Sequence, residues 1–230
     1  MAESNQNTKT LFSDRKRTNI LHIPEQALIR FLVKRIPHFI TPDILTFIGF
    51  IGSLLVLLAF LLASYLANIY LLLGIFGLAV NWFGDSLDGR IAYYRAIPRK
   101  WYGFSLDIIM DWISTITISL GYFIYADVPY KIFALIFLAL YGWAMIISQL
   151  RYKITDIYTI DSGIAGPTEI RVLISLILIT ETIWPHTIQY AVIILSVVLF
   201  FMNIKDSIRL LKMGDMRDLE ERKQRNHEQQ

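Results

Sequence analysis

Asp85-Ser-Leu-Asp88-Gly89-Arg-Ile-Ala92-Tyr93, followed by Gly103-Phe-Ser-Leu-Asp107-Ile-Ile-Met-Asp111, decides how this chain is read. Four carboxylates lie in or beside apolar helical stretches of a chain whose mean hydropathy is +0.49. An ionised Asp at the centre of a membrane helix costs roughly 2.5–3.5 kcal/mol on insertion scales, so four unpaired ones would cost on the order of 10 kcal/mol. No Lys or Arg stands between Asp85 and Asp88 or between Asp107 and Asp111. A bound cation is the expected compensation.

The helical angles agree. At about 100° per residue, with Asp85 at zero, Asp88 falls near −60°, Gly89 near +40° and Ala92 near −20°. One face therefore carries two carboxylates and two residues too small to obstruct a ligand. Gly103, Asp107 and Asp111 step by four and share a face of the next segment. In an antiparallel pair, Asp85 comes level with Asp111 and Asp88 with Asp107. An all-oxygen donor set selects a hard cation, Mg²⁺ or Mn²⁺, over zinc.

Asp-x-x-Asp-Gly-x-x-Ala followed by Gly-x-x-x-Asp-x-x-x-Asp resembles the signature of the CDP-alcohol phosphotransferase family, membrane enzymes that displace CMP from a CDP-activated alcohol or lipid. Seven residue types at fixed offsets within 27 positions carry the likeness. The resemblance implies that Asp85, Asp88, Asp107 and Asp111 hold metal, as a pair of Mg²⁺ or Mn²⁺ ions, and that Asp111 is also the general base. It implies room for the nucleotide at Gly89, Ala92 and Gly103. Thr46, in Thr-Pro-Asp-Ile-Leu-Thr-Phe-Ile-Gly, resembles the family's first-span motif, with Asp43 in place of Asn. There it implies contact with the nucleotide or its phosphates; bonding to its own helix backbone is the other reading.

Two departures stand out. Tyr93 occupies the position where the family has an Arg that helps hold the diphosphate, and the spacer from Tyr94 to Tyr102 is slightly longer than usual. Arg95, near −80° on the same wheel, either substitutes for that Arg or is a basic loop residue on the inner side.

Composition places the whole chain in a membrane. Of 230 residues, 55% are hydrophobic and 18% charged, and residues 44–84 carry no charge at all. That run is about twice the ~20 residues a spanning helix needs. With no Cys there is no disulfide framework and no thiolate chemistry. A net charge of +3 suits basic residues facing anionic lipid, and nothing suggests nucleic acid. The N-terminus lacks the basic-then-apolar order of a cleavable signal.

An all-α integral membrane protein is expected, with six transmembrane helices behind an amphipathic interfacial helix. Residues 1–40 form a loose polar segment and that juxtamembrane helix, in which Ala27, Leu28, Phe31 and Leu32 oppose Glu25, Arg30, Lys34 and Arg35. Residues 41–211 hold the spans, near 41–62, 68–93, 103–126, 129–149, 167–184 and 187–211; six is also the family's number. Residues 212–230 make a charged tail. Basic residues gather at alternate ends, with Lys131 alone opposite, so both termini and the aspartates should face the cytoplasm.

Around the site, Asn81 either lines the cavity or bonds helix to helix. Arg151 and Arg171 are candidates for an acceptor or lipid phosphate, against interfacial snorkelling. Glu169 suits the first turn of its helix, and Glu181 reads as interfacial. The expected partners are a CDP-linked donor, an alcohol or lipid acceptor and membrane lipids; the resemblance implies a homodimer. CDP-diacylglycerol (CDP-DAG) giving a phosphatidyl group to a small alcohol is the favoured reaction. CDP-choline or CDP-ethanolamine acting on a diacylglycerol or ceramide is the alternative, and a non-catalytic divalent-cation-binding protein the reading from another class.

Overall fold

The structure, a computed structural model, describes residues 21–155 and 166–228; the polar segment expected at 1–19 lies outside them. Seven α-helices occur among the described residues. They are α1 (His22–Val33), α2 (Pro42–Tyr65), α3 (Leu71–Tyr94), α4 (Lys100–Tyr125), α5 (Ile132–Thr155), α6 (Pro167–Ile183) and α7 (Thr187–Glu228). Five helical segments there are long and apolar enough to cross a membrane. The remaining expected span, the fifth in order, is α6, which has 17 residues, at the lower edge of the roughly 17–25 that suffice.

Local chemistry sets the boundaries. Pro42 opens α2 at a position where its missing N–H costs nothing, and Thr41 caps the helix by accepting from Ile44 N at 3.3 Å. Pro167 opens α6 in the same way, while Glu169 accepts from Gly166 N at 3.0 Å. The other oxygen of Glu169 accepts from Leu21 N at 2.8 Å, which ties the start of α1 to the start of α6.

Two apolar clusters fill the bundle. One joins Val56, Phe60, Leu71, Leu78, Tyr122 and Leu178; the other joins Ile29 and Val33 of α1 to Leu45, Leu87 and Ile91. The face by which α1 packs is therefore Glu25, Ile29 and Val33, all buried. Leu28 and Phe31 of the apolar stripe are 45% and 52% exposed, whereas Glu25, placed on the polar face by the pattern, is buried. A membrane-side helix can turn large apolar residues to lipid and keep another face for protein.

The charged stretch from residue 212 is helical and continuous with the last span: α7 runs 42 residues without a break. At ~1.5 Å per residue it is about 63 Å long, twice the hydrocarbon thickness. Arg217 holds the extension by donating to Lys153 O and Ile154 O at the end of α5, at 2.9 and 2.5 Å.

Glu181, near the outer end of α6, is buried against its neighbours at 1% exposure. Its carboxylate accepts from Tyr125 Oη, His186 N, Thr187 Oγ1 and Ile188 N at 2.6 to 3.1 Å. Four donors satisfy a carboxylate that would otherwise be costly to bury, and they lock the α6–α7 turn to α4.

Candidate active site

The site is built where α2 and α3 touch backbone to backbone. A Cβ added to Gly84 would lie 2.3 Å from Gly49 N, and one added to Gly52 would lie 2.3 Å from Asn81 N. Small residues at such a crossing let two membrane helices approach closely, where the packing itself is the driving force. The approach brings α2 side chains against the Asp85–Asp88 turn of α3. Thr46 Oγ1 lies 3.2 Å from Pro42 O, within reach of the bond to its own helix backbone, but only 2.6 Å from Asp88 Oδ2, a carboxylate partner that neither reading named. Gly89 N also donates to Asp88, at 2.5 Å.

Asp85 on α3 meets Asp107 and Asp111 on α4. One carboxylate oxygen from each lies within 4.8 Å of the others, an arrangement able to hold a metal ion. Asp88 stands beside this trio and lines the same cavity. An oxygen-only donor set converging from two helices fits a hard divalent cation.

A third helix completes the constellation. Arg171 of α6 donates from Nη2 to Asp85 Oδ2 at 2.6 Å and from Nε to Asn81 Oδ1 at 2.7 Å. Asn81 Nδ2 in turn donates to Gly49 O and reaches Ser53 Oγ, at 3.0 and 3.1 Å. Asn81 is thus the helix-to-helix tie and, through its other end, a mount for Arg171.

The cavity is about 210 Å³ and is lined by all four aspartates, Thr46, Gly89, Ala92, Gly103 and Arg171. A Cβ at Gly89 or Gly103 would meet nothing within 4 Å, so both glycines border open space and not a packed neighbour. Two expected residues are elsewhere. Arg95 donates to Ile36 O, Pro37 O, His38 O and Ile40 O at 2.6 to 3.4 Å, so it clamps the chain leaving α1 and does not take the family Arg's place at the cavity. Arg151 pairs with Asp206 of α7 at 3.6 Å, an interhelical contact away from the lining.

Other lining residues carry chemistry that the motif does not mark: Glu25, Arg90, Arg99 and Lys100. Arg99 is ion-paired with Asp43 and lies over the Tyr102 ring, 4.2 Å from its centroid. Its signal was present, since Arg99, Gly103, Asp107 and Asp111 step by four along one face. Glu25 accepts from Thr168 Oγ1 at 2.8 Å across the cavity wall. Nothing in the α1 pattern distinguishes it from a solvated acid.

An all-α membrane bundle whose paired helices present converging aspartates to a cavity with lining arginines is the architecture of a membrane enzyme acting on anionic substrates. No family model matches the chain. Among curated proteins it is 33% identical over 176 residues to archaetidylinositol phosphate synthase of Pyrococcus horikoshii, spanning 76% of this chain and 87% of that protein. Its fold matches the crystal structure of Mycobacterium tuberculosis phosphatidylinositol phosphate synthase with CDP-DAG bound, at a TM-score of 0.58 and 21% identity, over 81% of this chain and 92% of that one. The chain belongs to the CDP-alcohol phosphotransferase family. It is a multi-pass membrane transferase that moves a substituted phosphate group from a CDP-linked donor to an alcohol.

Proposed function

We propose that the donor is a CDP-DAG-type liponucleotide and the acceptor a phosphorylated small polyol of the inositol phosphate class. The acceptor hydroxyl attacks the lipid-bearing phosphorus of the diphosphate. A new P–O bond forms, the bond to the bridging oxygen breaks, and CMP leaves with that oxygen. The hydroxyl proton passes to Asp111. Asp85, Asp88, Asp107 and Asp111 would hold one or two Mg²⁺ or Mn²⁺ ions, whose chemistry is to neutralise the diphosphate and the charge on departing CMP.

The observation that carries this reading is the convergence of Asp85, Asp107 and Asp111 within 4.8 Å, beside the cationic Arg171 and a cavity of about 210 Å³. Gly89, Ala92 and Gly103 leave room for the nucleotide, and Thr46 holds Asp88 in place. Arg99, steadied by Asp43 and Tyr102, is suited to the donor's phosphates where Tyr93 replaces a motif Arg. Arg171 is suited to the acceptor's phosphate, since a guanidinium pairs bidentately with phosphate oxygens. The distribution of Lys and Arg supports a cytoplasmic site and cytoplasmic termini. We further propose a homodimer, to be read from the mass of the purified protein in nanodiscs.

The test is CMP release by the protein in reconstituted membranes containing CDP-DAG, with Mg²⁺ and inositol phosphate, against Asp88→Asn and Asp111→Asn. Both variants should fall to background. Wild-type turnover in either would remove the mechanism. CMP released from CDP-choline or CDP-ethanolamine, and not from CDP-DAG, would reassign the reaction to headgroup transfer.

A further inference from the structure

We infer that Arg171, oriented by Asn81, is the resident counter-ion of the aspartate cluster and competes with the divalent cation for the charge of Asp85. The inference rests on the reading that these aspartates bind metal. Arg171 Nη2 lies 2.6 Å from Asp85 Oδ2, and Asp85 is one of the three carboxylates that converge within 4.8 Å. The two side chains are only 15% and 22% exposed, so water screens their attraction poorly. A guanidinium and a divalent cation drawing on one carboxylate repel each other and divide its charge. Each must therefore weaken the other's hold, and the coupling is reciprocal.

Asn81 fixes the arrangement. Gly49 O can only accept, so the Asn81 amide must turn its NH₂ toward α2 and its oxygen toward Arg171 Nε. The guanidinium is thereby tethered at Nε while Nη2 remains the end that can leave Asp85. A cation taking Asp85 thus leaves Arg171 at the cavity wall with a donor freed for an anion. This makes Asn81 a positioning residue that acts through Arg171. It also explains how the cluster is held together before any cation arrives: three neighbouring carboxylates have one built-in positive charge.

The experiment is a Mn²⁺ titration of the full-length protein in nanodiscs, with free Mn²⁺ read by electron paramagnetic resonance. Arg171→Gln removes the competing charge and should tighten Mn²⁺ binding on the order of tenfold. Asn81→Ala, which loosens the guanidinium without removing it, should shift the affinity in the same direction by less. Arg171→Lys, which keeps the charge, should lie nearer to wild type than Arg171→Gln does. Wild-type binding with equal or weaker binding by Arg171→Gln would show that Arg171 organises the cluster instead of competing for it, and would overturn the inference alone. No Mn²⁺ binding by the wild type would remove the metal reading and the inference together.

Discussion

Thr46 reaches Asp88 across 42 residues of chain, with Oγ1 2.6 Å from Oδ2. The hydrogen bond holds one carboxylate of the motif from a different helix than the one that carries it. Removing a hydrogen-bond partner of a metal-binding side chain typically changes affinity or activity about 10–100-fold. Thr46→Val keeps the shape and removes the hydroxyl, so kcat/KM for CMP release should fall by about that factor. Thr46→Ser should recover most of the loss. Thermal stability should move little in either, which separates loss of alignment from loss of fold.

The α2–α3 glycines divide into two kinds. Gly84 faces backbone, where a Cβ would lie 2.3 Å from Gly49 N; Gly89 faces the open cavity. Gly84→Ala should part the helices and destabilise by about 1–3 kcal/mol, the usual range for overpacking. Gly89→Ala meets nothing, and better helix propensity should leave stability unchanged or raise it by up to ~1 kcal/mol. The added methyl points into the cavity proposed for the nucleotide, so the donor KM should rise. Thermal melts and steady-state kinetics on the pair check both halves.

On the proposed reading, Arg99 takes the donor-binding role that proximity to the motif suggests for Arg95. Arg95 is committed to four backbone carbonyls between Ile36 and Ile40. Arg95→Ala should therefore loosen the juxtamembrane connection, read as faster proteolysis near residues 34–41 and a lower melting temperature. Arg99→Ala should raise the donor KM several-fold and leave the melting temperature close to wild type, because a half-exposed ion pair contributes about 0–1 kcal/mol. A donor KM that responds to Arg95 and not to Arg99 would reverse the assignment.

What was legible in the sequence follows from periodicity. The aspartates step regularly on two adjacent apolar segments, so their shared faces could be placed before any packing was known. The spans were legible because charge is sparse along them, and residues 44–84 carry none. The cross-helix pairs were not. Thr46 with Asp88 and Asn81 with Arg171 depend on the register of α2, α3 and α6, and backbone contacts at Gly49, Gly52 and Gly84 contribute to setting that register. Nor could apolar pattern reveal which face of α1 meets protein, since lipid accepts Leu28 and Phe31 as readily as a core does. The burial of Glu181 was illegible for a related reason: its four donors arrive from α4 and from the α6–α7 turn, none of which a linear pattern brings near.

Glu181 offers the last test, nearly three turns along α6 from Arg171 and separate from the cavity in role. Its two oxygens gather Tyr125 Oη and three donors from residues 186–188, and only 1% of the residue is exposed. Glu181→Leu removes every acceptor and leaves buried N–H and O–H groups unmade, each costing about 1–3 kcal/mol. The sum should exceed what a marginally stable bundle tolerates, and the variant should unfold or fail to accumulate. Glu181→Gln keeps one oxygen and turns an NH₂ toward one hydroxyl, which can accept, and one backbone N–H, which cannot, so it should be intermediate. Tyr125→Phe deletes one donor and leaves the carboxylate its other three, so it should cost only about 0.5–1.5 kcal/mol. Melting temperatures ordered Tyr125→Phe above Glu181→Gln above Glu181→Leu would establish the carboxylate as the hub, whereas a Glu181→Leu variant as stable as wild type would show that lipid-facing packing alone holds the α6–α7 turn.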